Sequence, residues 1–214
     1  MPDTFYRRNL PHFHLDGYSL FITFRLADSL PIQIIDELKS EREQELKFAT
    51  SKSSDELYEI EKRYFGRYDD WLDRCSSGPH WLEDERIASI VNDKIWEMKN
   101  LRYKLIAYCI MPNHVHMLID HFAGEMTFHR GKSAKYPVTE TLRLLKGSTA
   151  RNCNSALERS GHFWHHESYD HFVRDGEELA RVIQYILNNP VKAGLVKEWT
   201  DRKFSYVSPE YGEW

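Results

Sequence analysis

The sequence predicts an α+β fold built on one antiparallel sheet. Runs rich in aromatic and β-branched residues at 18–26, 103–111 and 113–120 are typical of strands. Between the first two runs, and again at 175–189, apolar residues recur at helical spacing. The resulting order of strand, helices, two strands, helix, strand and helix is close to a ferredoxin-like, or RRM-like, split β-α-β arrangement with a further C-terminal helix.

The first strand, YSLFITFRL, leads through a turn into a long acidic helical segment at about 32–100. The polar run TSKSSD at 50–55 separates the first two helices of this segment, and Asp55 is predicted to cap the second. A third helix is predicted over 83–99. We therefore expect a single domain over residues 1–214 that carries this segment as a helical insertion.

The second and third strands are separated only by Pro112, which cannot donate a ladder hydrogen bond and therefore marks a turn. We predict that these two strands are antiparallel neighbours. Downstream, a helix is predicted over about 137–155, and residues 161–173 are predicted to be irregular or a strand. A last helix, over 175–189, is expected to end at Pro190.

Composition narrows the class of protein. With 41% hydrophobic and 14% aromatic residues, the chain of 214 residues is typical of a globular protein, and no apolar run is long enough to cross a membrane. The N-terminus lacks a secretory signal pattern. Three widely spaced cysteines predict neither a disulfide framework nor a cysteine-rich zinc site, so we expect a cytoplasmic protein.

Charge is distributed unevenly along the chain. The net charge of −4 combines a net −6 over residues 36–100 with a net +5 over residues 101–160. A basic segment in an otherwise acidic chain favours binding of a polyanion at one face. The alternative is that these charges form an ordinary solvated surface.

The stretch YCIMPNHVHMLID at 108–120 contains His114 and His116 inside an apolar strand. Side chains two residues apart share one face of a strand, roughly 6.6 Å apart along the backbone, so the two imidazoles can converge on one metal ion. Half-exposed histidines held by hydrogen bonds give the same pattern. His12 and His14 have this spacing too, but no further chemistry is tied to them and we do not expect them to bind metal.

A catalytic metal site needs a third ligand and a reacting group. Tyr185 and Asn189 lie four residues apart on the last predicted helix, and therefore on one face of it. Asn189 can offer a carbonyl oxygen to a metal, and Tyr185 can offer a hydroxyl nucleophile. An ordinary core aromatic is the alternative for Tyr185.

Several segments, in order, resemble the REP-associated tyrosine transposases, relatives of the insertion-sequence transposases that carry a His-hydrophobic-His motif. The resemblance spans about residues 10–206 and is carried by FITFRLADSLP, MPNHVHMLI, LRLLKGSTARNCN, SGHFWHHESYDHFVRD and YILNNPVKAGLV. It implies that His114 and His116 bind a divalent metal, that Tyr185 attacks the DNA backbone, and that Asn189 completes the metal site. The insertion-sequence relatives have a longer glutamine at this last position.

The activity implied by this resemblance is DNA transposition. Single-stranded DNA would be cleaved and rejoined at hairpin-forming repeats through a 5′-phosphotyrosine intermediate on the C-terminal helix. Mixed imidazole and amide-oxygen ligation suits Mg²⁺ or Mn²⁺ better than zinc. The implied partner is single-stranded or hairpin DNA, and the chain would act as a monomer or a homodimer.

DNA binding also requires cations along the strand. The basic segment supplies Lys132, Arg143, Lys146 and Arg151, and we expect Lys146 and Arg151 to contact phosphates from one face of their helix. Each of them can instead be a solvated surface charge.

Two other functions stay open from the sequence. One is a regulator that binds hairpin DNA without cutting it. The other is a metal-dependent phosphodiesterase in which the histidines activate water and Tyr185 belongs to the core. A covalent protein–DNA adduct distinguishes the transposase from both.

Overall fold

The computed structural model describes residues 5–7, 11–13, 19–50, 53–74, 77–121 and 137–212. These ranges contain the strands and helices β1 (Phe5–Arg7), β2 (Pro11–Phe13), β3 (Ser19–Leu26), α1 (Ile32–Phe48), α2 (Ser54–Asp73), α3 (Glu85–Met98), β4 (Tyr103–Ile110), β5 (His114–His121), α4 (Pro137–Ala156), β6 (Trp164–Phe172), α5 (Gly176–Lys192) and β7 (Ser205–Val207).

Five strands form one antiparallel sheet in the order β6-β3-β5-β4-β7, and β1 pairs separately with β2. The central strand β5 is hydrogen-bonded to β3 on one side and to β4 on the other. A tight turn around Pro112 joins β4 to β5, and the Met111 N–H donates to the His114 carbonyl across it at 2.9 Å. The predicted α+β class and the predicted antiparallel pairing around Pro112 are confirmed.

One face of the sheet carries the larger apolar core, beneath α3 and α4. Alternate residues of β5, namely Val115, Met117 and Ile119, point into this core, where they meet Ile95 of α3 and Leu145 of α4. Each fully buried aliphatic side chain of this kind contributes about 1.5–3 kcal/mol to the stability of the fold. Because side chains alternate along a strand, this burial fixes His114 and His116 on the opposite face.

Helix α5 covers part of that opposite face. Its buried residues Ile183, Ile186 and Leu187 recur at helical spacing and pack with Leu118 of β5. Asp175 caps the N-terminus, where its side chain accepts a hydrogen bond from the Glu178 N–H at 2.8 Å.

Helix α2 covers the rest of the same face and is itself backed by α1. The Phe65 ring of α2 stacks on Tyr169 of β6, with ring centroids 3.6 Å apart. A buried Arg42 of α1 forms an ion pair with Glu61 of α2. The helical segment between β3 and β4 therefore divides between the two faces of the sheet, since α1 and α2 lie on the histidine face and α3 on the other.

Three details differ from the sequence predictions. The N-cap of α2 is Ser53, whose hydroxyl accepts from the Glu56 N–H, and not Asp55. Helix α5 continues through Pro190 to Lys192, and the turn that contains the proline is closed by the Ala193 N–H, which donates to the Asn189 carbonyl at 2.9 Å. Residues 164–172, predicted as irregular or strand, form the edge strand β6.

Candidate functional site

The two histidines lie on the central strand β5 beneath α2 and α5. In the strand register His114 is opposite Arg25 and His116 is opposite Thr23. Both side chains are completely buried, and their Nε2 atoms are 2.8 Å apart. The two imidazoles therefore converge as their spacing predicts, but in a buried site rather than a half-exposed one. Of the second pair, His14 lies outside the described residues.

Each imidazole is oriented by a hydrogen bond to its other ring nitrogen. Nδ1 of His114 is 2.6 Å from Oδ1 of Asn113, whose amide nitrogen in turn donates to the Leu72 carbonyl. Nδ1 of His116 is 2.8 Å from the Thr23 hydroxyl. Because the Asn113 oxygen is an acceptor, Nδ1 of His114 carries the proton and its Nε2 presents a lone pair.

Tyr185 reaches the same point from α5. Its ring centroid is 5.5 Å from that of His116 and 5.9 Å from that of Phe21. The hydroxyl donates a hydrogen bond to Oδ2 of Asp69 on α2. The structure therefore brings the candidate nucleophile beside the histidine pair, with its side chain only partly buried.

Two aspartates of α2, which the sequence reasoning did not identify, complete the cluster. Asp69 and Asp73 are one helical turn apart and are 1% and 5% exposed. Oδ2 of Asp69 is 3.6 Å from Nε2 of His116, and Oδ1 of Asp73 is 3.5 Å from Nε2 of His114. The sequence does contain a signal for these two aspartates, because they lie on the same face of the helix as the apolar Phe65 and Leu72.

Burial shifts the acid–base equilibria of this cluster. Burial and the neighbouring Asp73 raise the pKa of Asp69 well above the ordinary value. Burial also acts to raise the pKa of Asp73, but the imidazoles of His114 and His116 outweigh it and lower that pKa. Burial and the adjacent His114 lower the pKa of His116 to about 4. At neutral pH His116 is therefore neutral, the form in which an imidazole binds metal.

Asn189 lies one turn beyond Tyr185 on α5 and is 1% exposed. Within the described part of the chain, neither its side-chain oxygen nor its side-chain nitrogen has a hydrogen-bond partner. A buried amide without partners is uncommon in proteins, and a bound ion or water is one ordinary reason for it.

These residues fit a divalent metal ion. His114, His116 and Asp69 each offer a donor atom, and the three atoms lie within 4.8 Å of one another. Oδ1 of Asp69 has no hydrogen-bond partner among the described residues, although it is buried. Imidazole nitrogens combined with carboxylate and amide oxygens form a donor set that first-row divalent metals accept.

The four cations predicted to bind DNA have different environments. The Lys146 ammonium donates to the carbonyls of His165 and His166 and to the Ser168 hydroxyl, so its three N–H groups already have acceptors. Arg143 pairs with Glu140 on the helix surface. Arg151 is exposed, and Lys132 lies outside the described residues. Lys146 thus links α4 to the edge strand β6.

A cavity of about 160 Å³ lies beside the histidines, between α1, α2 and the edge of the sheet. It is lined by residues that include Thr23, Arg25, Tyr68 and His165. Arg25 is buried and donates to the hydroxyls of Tyr68 and Ser29. Thr23 therefore connects the cavity with the histidine cluster, because it lines the cavity and its hydroxyl is hydrogen-bonded to His116.

Comparison with known proteins identifies the family. The family model described as "Transposase IS200 like" matches residues 80–189, just over half of the chain. The chain belongs to the IS200-like transposase family. The matched segment contains His114, His116, Tyr185 and Asn189, and it excludes α1 and α2.

Two relatives bear the name REP-associated tyrosine transposase. A *Haemophilus influenzae* protein of that name is 29% identical over 111 residues, an alignment that covers 48% of this chain and 59% of that protein. A solved REP-associated tyrosine transposase, bound to a REP hairpin, superposes with a TM-score of 0.52 and 17% identity over 94% of this chain and 80% of that one. The resemblance stated from the sequence motifs is confirmed, and the structural likeness shows a shared fold.

A further solved protein, described as a transposase from *Deinococcus radiodurans*, has a TM-score of 0.33 with 16% identity over 86% of this chain and 96% of that one. The alignment with the Haemophilus influenzae protein covers less than two thirds of the length of that protein. Among the described helices of this chain, none is both long and apolar enough to cross a membrane.

Proposed function

We propose that this chain is a metal-dependent endonuclease and transposase that cleaves and rejoins single-stranded DNA at hairpin-forming repeats through a 5′-phosphotyrosine intermediate. One observation carries the proposal: the Tyr185 hydroxyl and the paired Nε2 atoms of His114 and His116 meet in one buried cluster. Tyr185, His114 and His116 all belong to the segment that matches the transposase family.

His114, His116 and Asn189 are the proposed ligands of a Mg²⁺ or Mn²⁺ ion. When bound, the ion would withdraw charge from a phosphodiester oxygen and so activate the phosphorus for attack. The buried amide of Asn189, which lacks partners among the described residues, supports its assignment as a ligand.

Tyr185 is the proposed nucleophile. Its oxygen forms a bond to phosphorus as its proton passes to Asp69, the bond from phosphorus to the 3′ oxygen breaks, and the 3′ oxygen takes up one proton and leaves as a hydroxyl. The Tyr185 hydroxyl already donates its proton in a hydrogen bond to Oδ2 of Asp69, which holds the oxygen towards the histidines. Since the phosphoester is conserved in the tyrosine link, a second 3′-hydroxyl can attack it and rejoin strands without ATP.

Hairpin DNA is the proposed partner. The support is the shared fold with a REP-associated tyrosine transposase that was solved with a REP hairpin bound. Arg151, Arg143, Lys146 and Lys132 are the proposed phosphate contacts, with Arg151 the strongest candidate because it is exposed and no described residue pairs with it. We propose that the chain acts as a monomer or a homodimer.

We also propose one domain over residues 1–214, with the helical insertion at about 32–100, and a cytoplasmic location. Cys109 and Cys153 are buried free thiols, which is compatible with a reducing compartment, and Cys75 lies outside the described residues.

The test is a denaturing gel of the protein with single-stranded hairpin DNA in Mn²⁺. Wild type should give a covalent protein–DNA band, and Tyr185→Phe or a chelator should remove that band. The Phe variant keeps the ring packing and loses only the hydroxyl, so it is a matched test of the nucleophile.

Cleavage that survives Tyr185→Phe would reassign the chain as a metal-dependent phosphodiesterase. Hairpin binding without cleavage in either protein would favour a non-catalytic regulator instead.

A further inference from the structure

Helix α2 is outside the segment that matches the transposase family, yet it places two acids against the histidines. We propose that α2 supplies this chain's metal centre with carboxylate ligands, Asp69 and Asp73. The inference rests on the proposed function, because it concerns the same metal centre, and it adds a donor set that the matched segment does not contain.

The distances within the cluster are those of ligands that share one ion. With bonds of about 2.1 Å, two donors on the same first-row metal lie roughly 2.8–4.3 Å apart, depending on the angle between them. The Nε2 atoms of His114 and His116 are 2.8 Å apart. Oδ1 of Asp73 is 3.5 Å from Nε2 of His114 and 4.0 Å from Nε2 of His116. Oδ2 of Asp69 is 3.6 Å from Nε2 of His116.

Unpartnered buried atoms point independently to a bound cation. Oδ1 of Asp69 and Oδ1 of Asp73 are fully enclosed, and neither has a hydrogen-bond partner among the described residues. Leaving a buried carboxylate oxygen without a donor is costly, and a metal ion supplies the missing interaction. Thr23 and Asn113 hold the Nδ1 sides of the histidines, so the Nε2 sides face the same point.

Two carboxylates also complete the charge balance. An imidazole ligand carries no charge, so two histidine ligands leave the two positive charges of a divalent ion uncompensated in a buried site, whereas two ionised carboxylate ligands, Asp69 and Asp73, would supply two negative charges. Oxygen donors added to two imidazoles favour Mn²⁺, a metal that accepts both kinds of ligand. Asn189 would then be an additional ligand rather than the one that completes the centre.

The test is calorimetric titration of Mn²⁺ into the whole chain, without DNA, for wild type and for Asp69→Asn, Asp73→Asn and Asp70→Asn. Each substitution removes one carboxylate and keeps the side-chain shape. Asp70 is the control, because it is on the same helix but its side chain is 56% exposed; Lys192, with which it pairs, also lies 3.4 Å from Oδ2 of Asp73. We expect Asp69→Asn and Asp73→Asn each to weaken Mn²⁺ binding at least tenfold, and Asp70→Asn to change it less than twofold.

A second measurement distinguishes the loss of a metal ligand from the loss of the folded structure. Circular dichroism and thermal unfolding in EDTA should show that the Asn variants are folded, since each replaces a buried acid by a neutral isostere. Equal Mn²⁺ affinity in wild type, Asp69→Asn and Asp73→Asn, with binding lost in His116→Ala, would overturn this inference and leave the proposed function standing.

Other outcomes separate the two proposals. Tight Mn²⁺ binding that depends on Asp69 and Asp73, without any covalent DNA adduct, would support the carboxylate centre and overturn the proposed function. An absence of Mn²⁺ binding to wild type would overturn the metal centre, and with it this inference.

Discussion

His116 is a histidine that the fold keeps neutral. Burial and the adjacent His114 lower its pKa to about 4, from about 6.5 in an unfolded chain. A group with a lowered pKa contributes stability that is present above the unfolded pKa and is lost as the pH falls towards the folded pKa. For His116 this window runs from about pH 6.5 to about pH 4.

We therefore expect metal-free protein to lose about 2 kcal/mol of unfolding free energy through His116 between pH 7 and pH 5, because about 1.5 pH units of that window are crossed. Urea denaturation in EDTA at pH 7 and at pH 5 measures the change. His165 has a similarly lowered pKa, so the comparison is made with His116→Gln, which should show a smaller loss than wild type. An identical loss in the variant would contradict the assignment.

The hydroxyl of Thr23 lies 2.8 Å from Nδ1 of His116 and orients that ring, and a substitution of Thr23 tests this role. Residues that orient a metal ligand in this way typically change metal affinity about 10–100-fold. Thr23→Val keeps the shape and removes the hydrogen bond, so we expect Mn²⁺ affinity to fall at least tenfold in calorimetry. Thr23→Ser, which restores the hydroxyl, should recover most of the affinity, and a Ser variant as weak as Val would refute this role.

At the scale of elements, α5 carries both Tyr185 and Asn189, so its N-cap affects the site through the stability of the helix. The Asp175 side chain accepts the Glu178 N–H, and a lost cap of this kind costs about 1 kcal/mol. Asp175→Ala should lower the thermal midpoint by about 2–4 °C in a chain of this size. Glu177→Ala is the control, since that side chain is 91% exposed in the same first turn. Equal midpoints for the two variants would argue against the cap.

A buried polar network ties α5 to the elements around it. The Glu178 carboxylate accepts from the Tyr58 hydroxyl of α2 and from the Arg174 N–H, and His171 of β6 lies 3.0 Å from it. His171 therefore holds α2, β6 and α5 together, and it has no contact with the histidine pair among the described hydrogen bonds. This network explains why α2 and α5 meet over the same strip of the sheet.

On the scale of the whole molecule, the sheet presents its histidine face to α2 and α5, and both imidazoles are completely buried there. A phosphodiester can reach the Nε2 atoms only if the covering helices shift. Since α5 carries the nucleophile and the last two turns of α2 carry the proposed ligands Asp69 and Asp73, we expect the part of α2 before Asp69 to move when DNA binds.

Hydrogen–deuterium exchange on the Tyr185→Phe variant in Mn²⁺ tests this expectation without turnover. Peptides from the part of α2 before Asp69 should exchange faster when hairpin DNA is added, because the DNA strand needs the surface that this part of α2 occupies. Peptides of α3, on the opposite face, should be unchanged and serve as the internal control. Unchanged or slower exchange of α2 in saturating DNA would show that substrate reaches the site by another route.

The sequence by itself determined the three strands β3, β4 and β5 and the core-facing alternation. Val115, Met117 and Ile119 must enter an apolar core, and this alone sets His114 and His116 on one common face. The helical spacing of α5 likewise put Tyr185 and Asn189 on one side of a helix. Local periodicity suffices for these features because each depends only on residues a few positions apart.

Only the tertiary structure decided what covers the histidines. Asp69 is 45 and 47 residues before the two histidines in the chain, and no local pattern ties a helix to one face of a distant strand. The ring stacking of Phe65 on Tyr169 and the Tyr58 to Glu178 contact fix α2 on that face. Because such packing depends on long-range contacts, the structure, and not the sequence pattern, brought the two buried acids to the candidate metal centre.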